Sequence, residues 1–209
     1  MKKVKKAAEA GYTGTERRLY EMKYSSPVGI LTLISDREFL FSLKFERERY
    51  PFALPENGRM IVLPAYSKGG EDSGLLCQDS ADRDQTVNQF PKPICQAVSW
   101  LDCYFSGQKP EALPPVRLEG SKFRLLVWKE LLKIPYGTTV TYGSIAKKLA
   151  REQGRSHMSA QAVGGAVGHN PIGIMIPCHR VVGADGSLTG FGGGLEVKRA
   201  LLKLEKNAE

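Results

Sequence analysis

Little in these 209 residues suits a membrane, a secretory route or a metal. No run of eighteen apolar residues occurs, so no membrane-spanning helix is expected. The opening Met1-Lys2-Lys3-Val4-Lys5-Lys6 is charged and leads into no apolar stretch. No secretory leader is therefore expected, and the chain reads as a soluble cytoplasmic protein, nucleoid-associated or nuclear according to its host. Cysteine is scarce, and Cys77, Cys95, Cys103 and Cys178 form no C-x-x-C pair, so free thiols are expected rather than disulfides. His157, His169 and His179 stand at no spacing that would complete a zinc site with them, and no metal is expected.

What is present is unevenly charged. Residues 1–119 carry 17 Lys and Arg against 16 Asp and Glu, a balance of +1, while residues 120–209 carry 13 against 6, a balance of +7. A basic half beside a neutral one fits a polyanion such as DNA, and it equally fits a solvated basic surface.

Residues 18–46 alternate as strands do, in three pieces around Met22, Val28 to Ile34 and Phe39 to Phe45, with Ser-Pro and Ser-Asp turn signals between them. The expectation is a small antiparallel meander. Residues 47–90 lose any period and collect Pro, Gly, Asp, Glu and Ser, which predicts a loop, an irregular insert or partial disorder. From Pro91 the period turns helical, with Ile94, Ala97, Val98, Leu101, Tyr104 and Phe105 on one face and a stop at Gly107. Leu113-Pro-Pro then separates an N-terminal domain, 1–112, from a C-terminal one, 113–209.

In the second half Phe123, Leu126, Val127, Leu131 and Ile134 predict a helix that stops at Pro135-Tyr136-Gly137. Thr141 is placed to cap a helix from Tyr142 to about Arg151. A polar loop leads to a second, small-residue helix, Ser159 to Gly168, so that the outline is a helix-turn-helix. Gly164 and Gly165 should each weaken that helix by about 1 kcal/mol relative to Ala. Their retention suggests close approach, either by another helix or by the sugar-phosphate surface of DNA.

The chemistry is concentrated later. Residues 172–176 read as a buried strand that ends in Pro177-Cys178-His179-Arg180. A thiol beside an imidazole makes an activated nucleophile only if the chain turns at Pro177, because neighbours on a strand point to opposite sides. Otherwise Cys178 is a structural thiol. In the last helix Glu205 shares a face with Lys198, Leu201 and Leu202, at an end where the helix dipole disfavours an anion. Such an acid either orients His179, as the third member of a Cys-His-Glu relay, or frays into solvent.

These residues together resemble the O6-alkylguanine-DNA alkyltransferases, the methylated-DNA–protein-cysteine methyltransferases. The resemblance is carried by Ala162-Val-Gly-Gly-Ala, Asn170-Pro171, Ile176-Pro-Cys-His-Arg-Val-Val182, Gly193-Gly-Leu195, Lys198 and Leu201-Leu202, with Ile134-Pro-Tyr-Gly-Thr and Thr141-Tyr-Gly-Ser-Ile-Ala upstream. It implies an α+β fold: a ribonuclease-H-like antiparallel sheet domain followed by a mostly helical, winged-helix-like domain with a helix-turn-helix. It further implies repair of O6-alkylguanine in double-stranded DNA, bound by a monomer through the minor groove, with the damaged base flipped out.

The alkyl group would pass once and irreversibly to Cys178, without a cofactor. His179 would act as base through a water, Glu205 would orient His179, and Asn170 would link the cysteine loop to the DNA-binding helices. Arg180 would be structural support. Tyr142 and the adjacent Gly143, Gln161, Gly164, Gly165, Phe191 and Gly192 would meet DNA or the flipped base. Gln161 stands where most members have an arginine, and Phe191 where a tyrosine is common. Three rival readings are a non-catalytic lesion binder of the same fold, a Cys-His-Glu hydrolase and a winged-helix transcription factor with a buried cysteine.

Overall fold

A computed structural model of the chain describes residues 17–46, 48, 50, 52–69 and 90–206. The basic opening segment, Cys77 and most of the aperiodic stretch before Phe90 lie outside them. Among the described residues no helix is long and apolar enough to cross a membrane.

Three strands, β1 (Arg17–Ser26), β2 (Gly29–Ser35) and β3 (Leu40–Phe45), pair antiparallel as the alternation predicts. The sheet is nevertheless mixed rather than a simple meander. The aperiodic stretch contributes β4 (Gly58–Val62) and β5 (Tyr66–Ser67), which both run parallel to β1 along its free edge. These two pieces were invisible in the sequence because they are short and half exposed, with no alternating apolar face. Strand order is β3-β2-β1-β4, with β5 continuing beside β1.

The helix α1 (Lys92–Phe105) covers one face of the sheet with Ile94, Ala97, Val98, Leu101 and Tyr104. Pro91 and Pro93 sit where a helix start tolerates them, and Gly107 (φ 80°) turns the chain away at its end. Asp102 fastens α1 to the sheet by accepting hydrogen bonds from Tyr24 (2.8 Å) and Tyr66 (2.6 Å). The main core is shared: most buried residues of the sheet, α1 and the C-terminal helices belong to one cluster, while Leu19, Ile34 and Phe41 of the sheet form a second, smaller one.

The outer edge of β3 is not left bare. Leu40 bonds with Pro115 and Arg117, and Leu43 bonds with Pro171 and Gly173. Two C-terminal segments thus cover the unpaired edge and are held by it.

The second half is built from α2 (Lys122–Leu131), α3 (Tyr142–Glu152), α4 (Ala160–Gly168) and α5 (Leu195–Lys206), with a two-stranded parallel pair, β6 (Val140–Thr141) and β7 (Val181–Val182). Side chains of Ser121, Thr141 and Ser159 cap α2, α3 and α4 by accepting a backbone N–H three residues on. Trp128 of α2 donates its indole N–H to Ala166 O of α4 (2.9 Å), so these two helices are locked together. Residues 172–176 are buried as expected but are not a strand. Ile174 has φ 63° and Met175 N–H bonds to Gly173 O, so the segment is a series of tight turns. Its apolar run reflects burial, which a turn can satisfy when a neighbouring strand edge takes its backbone groups.

Candidate active site

The turn series delivers the nucleophile. Pro177 (φ −79°, ψ 62°) bends the chain so that Cys178 N–H reaches Ile176 O at 2.7 Å, and residues Cys178–Arg180 form one 3-10 turn. The chain therefore turns at Pro177, which is the condition under which Cys178 and His179 can cooperate.

Asn170 holds this bend from inside. It is 2% exposed, and its amide donates to Ile176 O (2.8 Å) and to Cys178 Sγ (3.1 Å), while its Oδ1 accepts from Ile172 N–H (3.1 Å). One side chain thus ties the end of α4 to the cysteine turn.

Cys178 borders a small, partly open cleft also lined by Phe45, Glu48, Val167, Gly168, Asn170, Phe191 and Gly192. Burial pushes its thiol up to about 11, only partly offset by the Asn170 amide and the charges of Lys44 and Lys198. The resting thiol is therefore neutral.

Glu205 is 1% exposed and accepts hydrogen bonds on both oxygens. Its Oε1 accepts from Tyr104 OH (2.8 Å), His179 Nε2–H (2.7 Å) and Arg180 (2.9 Å). Its Oε2 accepts from Arg180 Nε–H (2.8 Å) and Gly137 N–H (3.0 Å). Burial would raise this acid, but the bonds and charges of His179 and Arg180 outweigh it and bring it down to about 2. Placement of a carboxylate near the C-terminus of α5 is thus stabilised by tertiary partners, and the solvent-frayed alternative is excluded.

His179 is fully buried, and that burial lowers its pKa, partly offset by Glu205. With Nε2–H directed to the carboxylate, the neutral ring carries its lone pair on Nδ1. That atom is buried and has no hydrogen-bond partner among the described residues.

Other sequence-selected residues fall around this centre. Tyr142 opens α3 half buried; burial raises its hydroxyl pKa, a bond with Thr189 lowers it, and the thiol of Cys178 lies close enough to raise it further. Its ring fills the space beside Gly164, where a Cβ would stand 3.7 Å away. Gly143 follows it in the first turn of α3. Gln161 and Gly165 are exposed on α4, and a Cβ at Gly165 would meet nothing within 4 Å. Phe191 packs edge-on against Phe45 (5.4 Å) and His179 (6.5 Å).

The sequence singled out no role for Lys44, Glu48, Tyr104 or Lys198. Lys198 is fully buried and donates to Val181 O (2.6 Å) and Thr189 O (2.9 Å), anchoring the loop that carries Phe191. The one available signal for Lys44 was a lysine inside the apolar run of β3, where all six residues are buried.

Residues 122–207 match the family model described as 6-O-methylguanine DNA methyltransferase, DNA binding domain. The chain is similar to the inducible methylated-DNA–protein-cysteine methyltransferase of Bacillus subtilis, at 45% identity over 187 residues, covering 90% of this chain and 96% of that one. A Haemophilus influenzae methylated-DNA–protein-cysteine methyltransferase is 37% identical over 190 residues, covering 90% and 87%. Among solved structures, Mycobacterium tuberculosis OGT in complex with DNA superposes with a TM-score of 0.67 at 36% identity, covering 90% of this chain and 94% of that one.

Proposed function

The chain belongs to the methylated-DNA–protein-cysteine methyltransferase family, and from that premise we propose how its own residues carry the reaction. The protein repairs DNA by direct reversal, moving an alkyl group from O6 of a guanine in DNA to one of its cysteines, once per molecule. The acceptor is Cys178.

Burial keeps the resting thiol protonated at neutral pH. Reaction requires a base, and His179, next in the chain, has a buried Nδ1 without a hydrogen-bond partner among the described residues; a bridging water would complete the path. The sulfur attacks the alkyl carbon, the S–C bond forms as the C–O6 bond breaks, and guanine leaves with the electron pair. The thiol proton passes to His179, whose imidazolium faces the Glu205 carboxylate. Tyr142 gives a proton to the departing guanine and recovers one through solvent from His179, so the net transfer is of the thiol proton to guanine. The thioether offers water no leaving group, hence no turnover, and no cofactor takes part.

DNA engages α4. Gln161, Ala162, Gly165 and Gly168 are exposed along it, and the missing side chains at Gly165 and Gly168 let the backbone approach a minor groove. Gln161 fills the gap left by the flipped base, with hydrogen bonds but no charge. In this reading α3 and α4 are a helix-turn-helix in a winged-helix-like unit within 113–209. The sheet with α1 is a ribonuclease-H-like unit within 1–112, supported by the parallel placement of β4 beside β1. A DNA substrate supports a location where DNA is, the cytoplasm with the nucleoid or, in a eukaryotic host, the nucleus.

The observation that carries this reading is that Glu205 holds His179 within the same turn that brings Cys178 to the cleft. The test is intact and peptide mass analysis after incubation with a duplex carrying O6-methylguanine. One methyl group is expected on the Cys178 peptide, stoichiometric with protein and absent in Cys178→Ser. Unmodified protein and persistent lesions would refute it.

A further inference from the structure

We propose that Glu48 makes the cleft discriminate against transferred groups that bear negative charge, an inference that rests on Cys178 being the alkyl acceptor. The Glu48 carboxylate lines the same cleft as the sulfur, and among the described lining residues it is the one charged side chain.

Its position is built rather than incidental. The side chain is 8% exposed, Lys44 Nζ donates to its Oε1 at 2.8 Å, and Phe45 N–H donates to its Oε2 at 3.2 Å. Burial raises the pKa of this acid, and both donors oppose that rise by favouring the anion over the acid. Lys44 is in turn fixed by Asn170 O at 2.8 Å, so the pair is tied to the same residue that holds Cys178 Sγ. Gly192 leaves the room: a Cβ there would stand 2.6 Å from Glu48 Oε1.

The ion pair has a direction. Lys44 is not among the cleft-lining residues, and its ammonium is spent on Glu48 and on a backbone carbonyl. A group entering the cleft therefore meets the carboxylate first. Phe45, Val167 and Phe191 beside it are apolar, which limits screening. The transferred carbon must reach the sulfur, so whatever is attached to that carbon must lie in this cleft. A carboxymethyl group would place a second carboxylate near Glu48, where two anions sharing a site are mutually disfavoured. A carbamoylmethyl group has the same heavy-atom count and shape without the charge.

The experiment is single-turnover transfer from three duplexes that differ only at one guanine, bearing O6-methyl, O6-carbamoylmethyl or O6-carboxymethyl. It is run on the wild type and on Glu48→Gln. The quantity read is the ratio of carbamoylmethyl to carboxymethyl rates within each protein, so that general losses of activity cancel. A wild-type ratio of about ten or more is expected, falling at least about threefold in Glu48→Gln. Should that variant fold poorly, Lys44→Met combined with Glu48→Gln removes both ends of the pair and is read in the same way. Methyl transfer with a wild-type ratio near one, or a ratio that the substitutions leave unchanged, overturns this inference alone. Absence of methyl transfer overturns the acceptor assignment and this inference with it.

Discussion

Replacing Glu205 by Gln keeps the shape of the side chain and removes its charge, and the structure sets the size of the response. The carboxylate accepts five hydrogen bonds, from Tyr104, His179, Gly137 and twice from Arg180. An amide has one acceptor oxygen and turns an NH₂ toward donors. Arg180 keeps its bond to Ile134 O but loses its counter-ion while nearly buried. Breaking one side of such a pair costs on the order of 3–5 kcal/mol. The lowered pKa of Glu205 points the same way. A drop from 4.5 to about 2 corresponds to about 3 kcal/mol at roughly 1.4 kcal/mol per unit.

Because the folded pKa lies below the unfolded one, this stability is fully present above about pH 4.5 and is lost as pH falls toward 2. The variant should start lower at pH 7 and lack that part of the acid-side decline. For the reaction, His179 loses both the partner that fixes its tautomer and the charge that stabilises its protonated form. A slowing of about 10²- to 10⁴-fold is therefore expected. Single-turnover transfer, duplex affinity by fluorescence anisotropy and thermal unfolding from pH 3 to 8 measure the three effects. Tyr104→Phe serves as the graded control. It removes one donor and leaves the charge pair, for about 1 kcal/mol and a small rate effect. A folded Glu205→Gln protein that transfers within about threefold of wild type would refute the assigned role, as would an affinity that falls as far as the rate.

Two further outcomes are expected. Gln161→Ala should weaken binding to an alkylated duplex by about tenfold or more while slowing transfer within the bound complex much less, because Gln161 is exposed on α4 and is not among the residues lining the cleft of Cys178; titration and saturating single-turnover rates separate the two. Gly193→Ala should lower the melting temperature and the transfer rate together, since its Cβ would stand 2.8 Å from the Phe45 ring and such overpacking costs about 1–3 kcal/mol; wild-type values for both would show that the Phe191 loop gives way freely.

The first three strands, the five helices and the cap of α3 were legible because each depends on neighbours a few residues away. Thr141 caps α3 through the third residue on, and the stripe from Ile94 to Tyr104 buries as its period implied; Ser159, read as the first residue of α4, is instead its cap. The sequence pattern failed where burial does not imply regular structure. Residues 172–176 are apolar like a strand but form turns whose backbone groups are taken up by the edge of β3. It also failed for β4 and β5, half-exposed pieces recognised only by their pairing with β1.

The reacting group and its neighbour were determined by the sequence alone, since Pro177, Cys178, His179 and Arg180 are consecutive and the bend at proline is a local matter. The environment that makes them a site was decided by the tertiary structure. Tyr104 and Glu205 are 101 residues apart, and Lys44 and Asn170 are 126 apart. No local pattern encodes such pairings, because they arise only when α1, β3 and α5 close on one core. That closure removes water from the thiol, the imidazole and the acid, and so sets their protonation states.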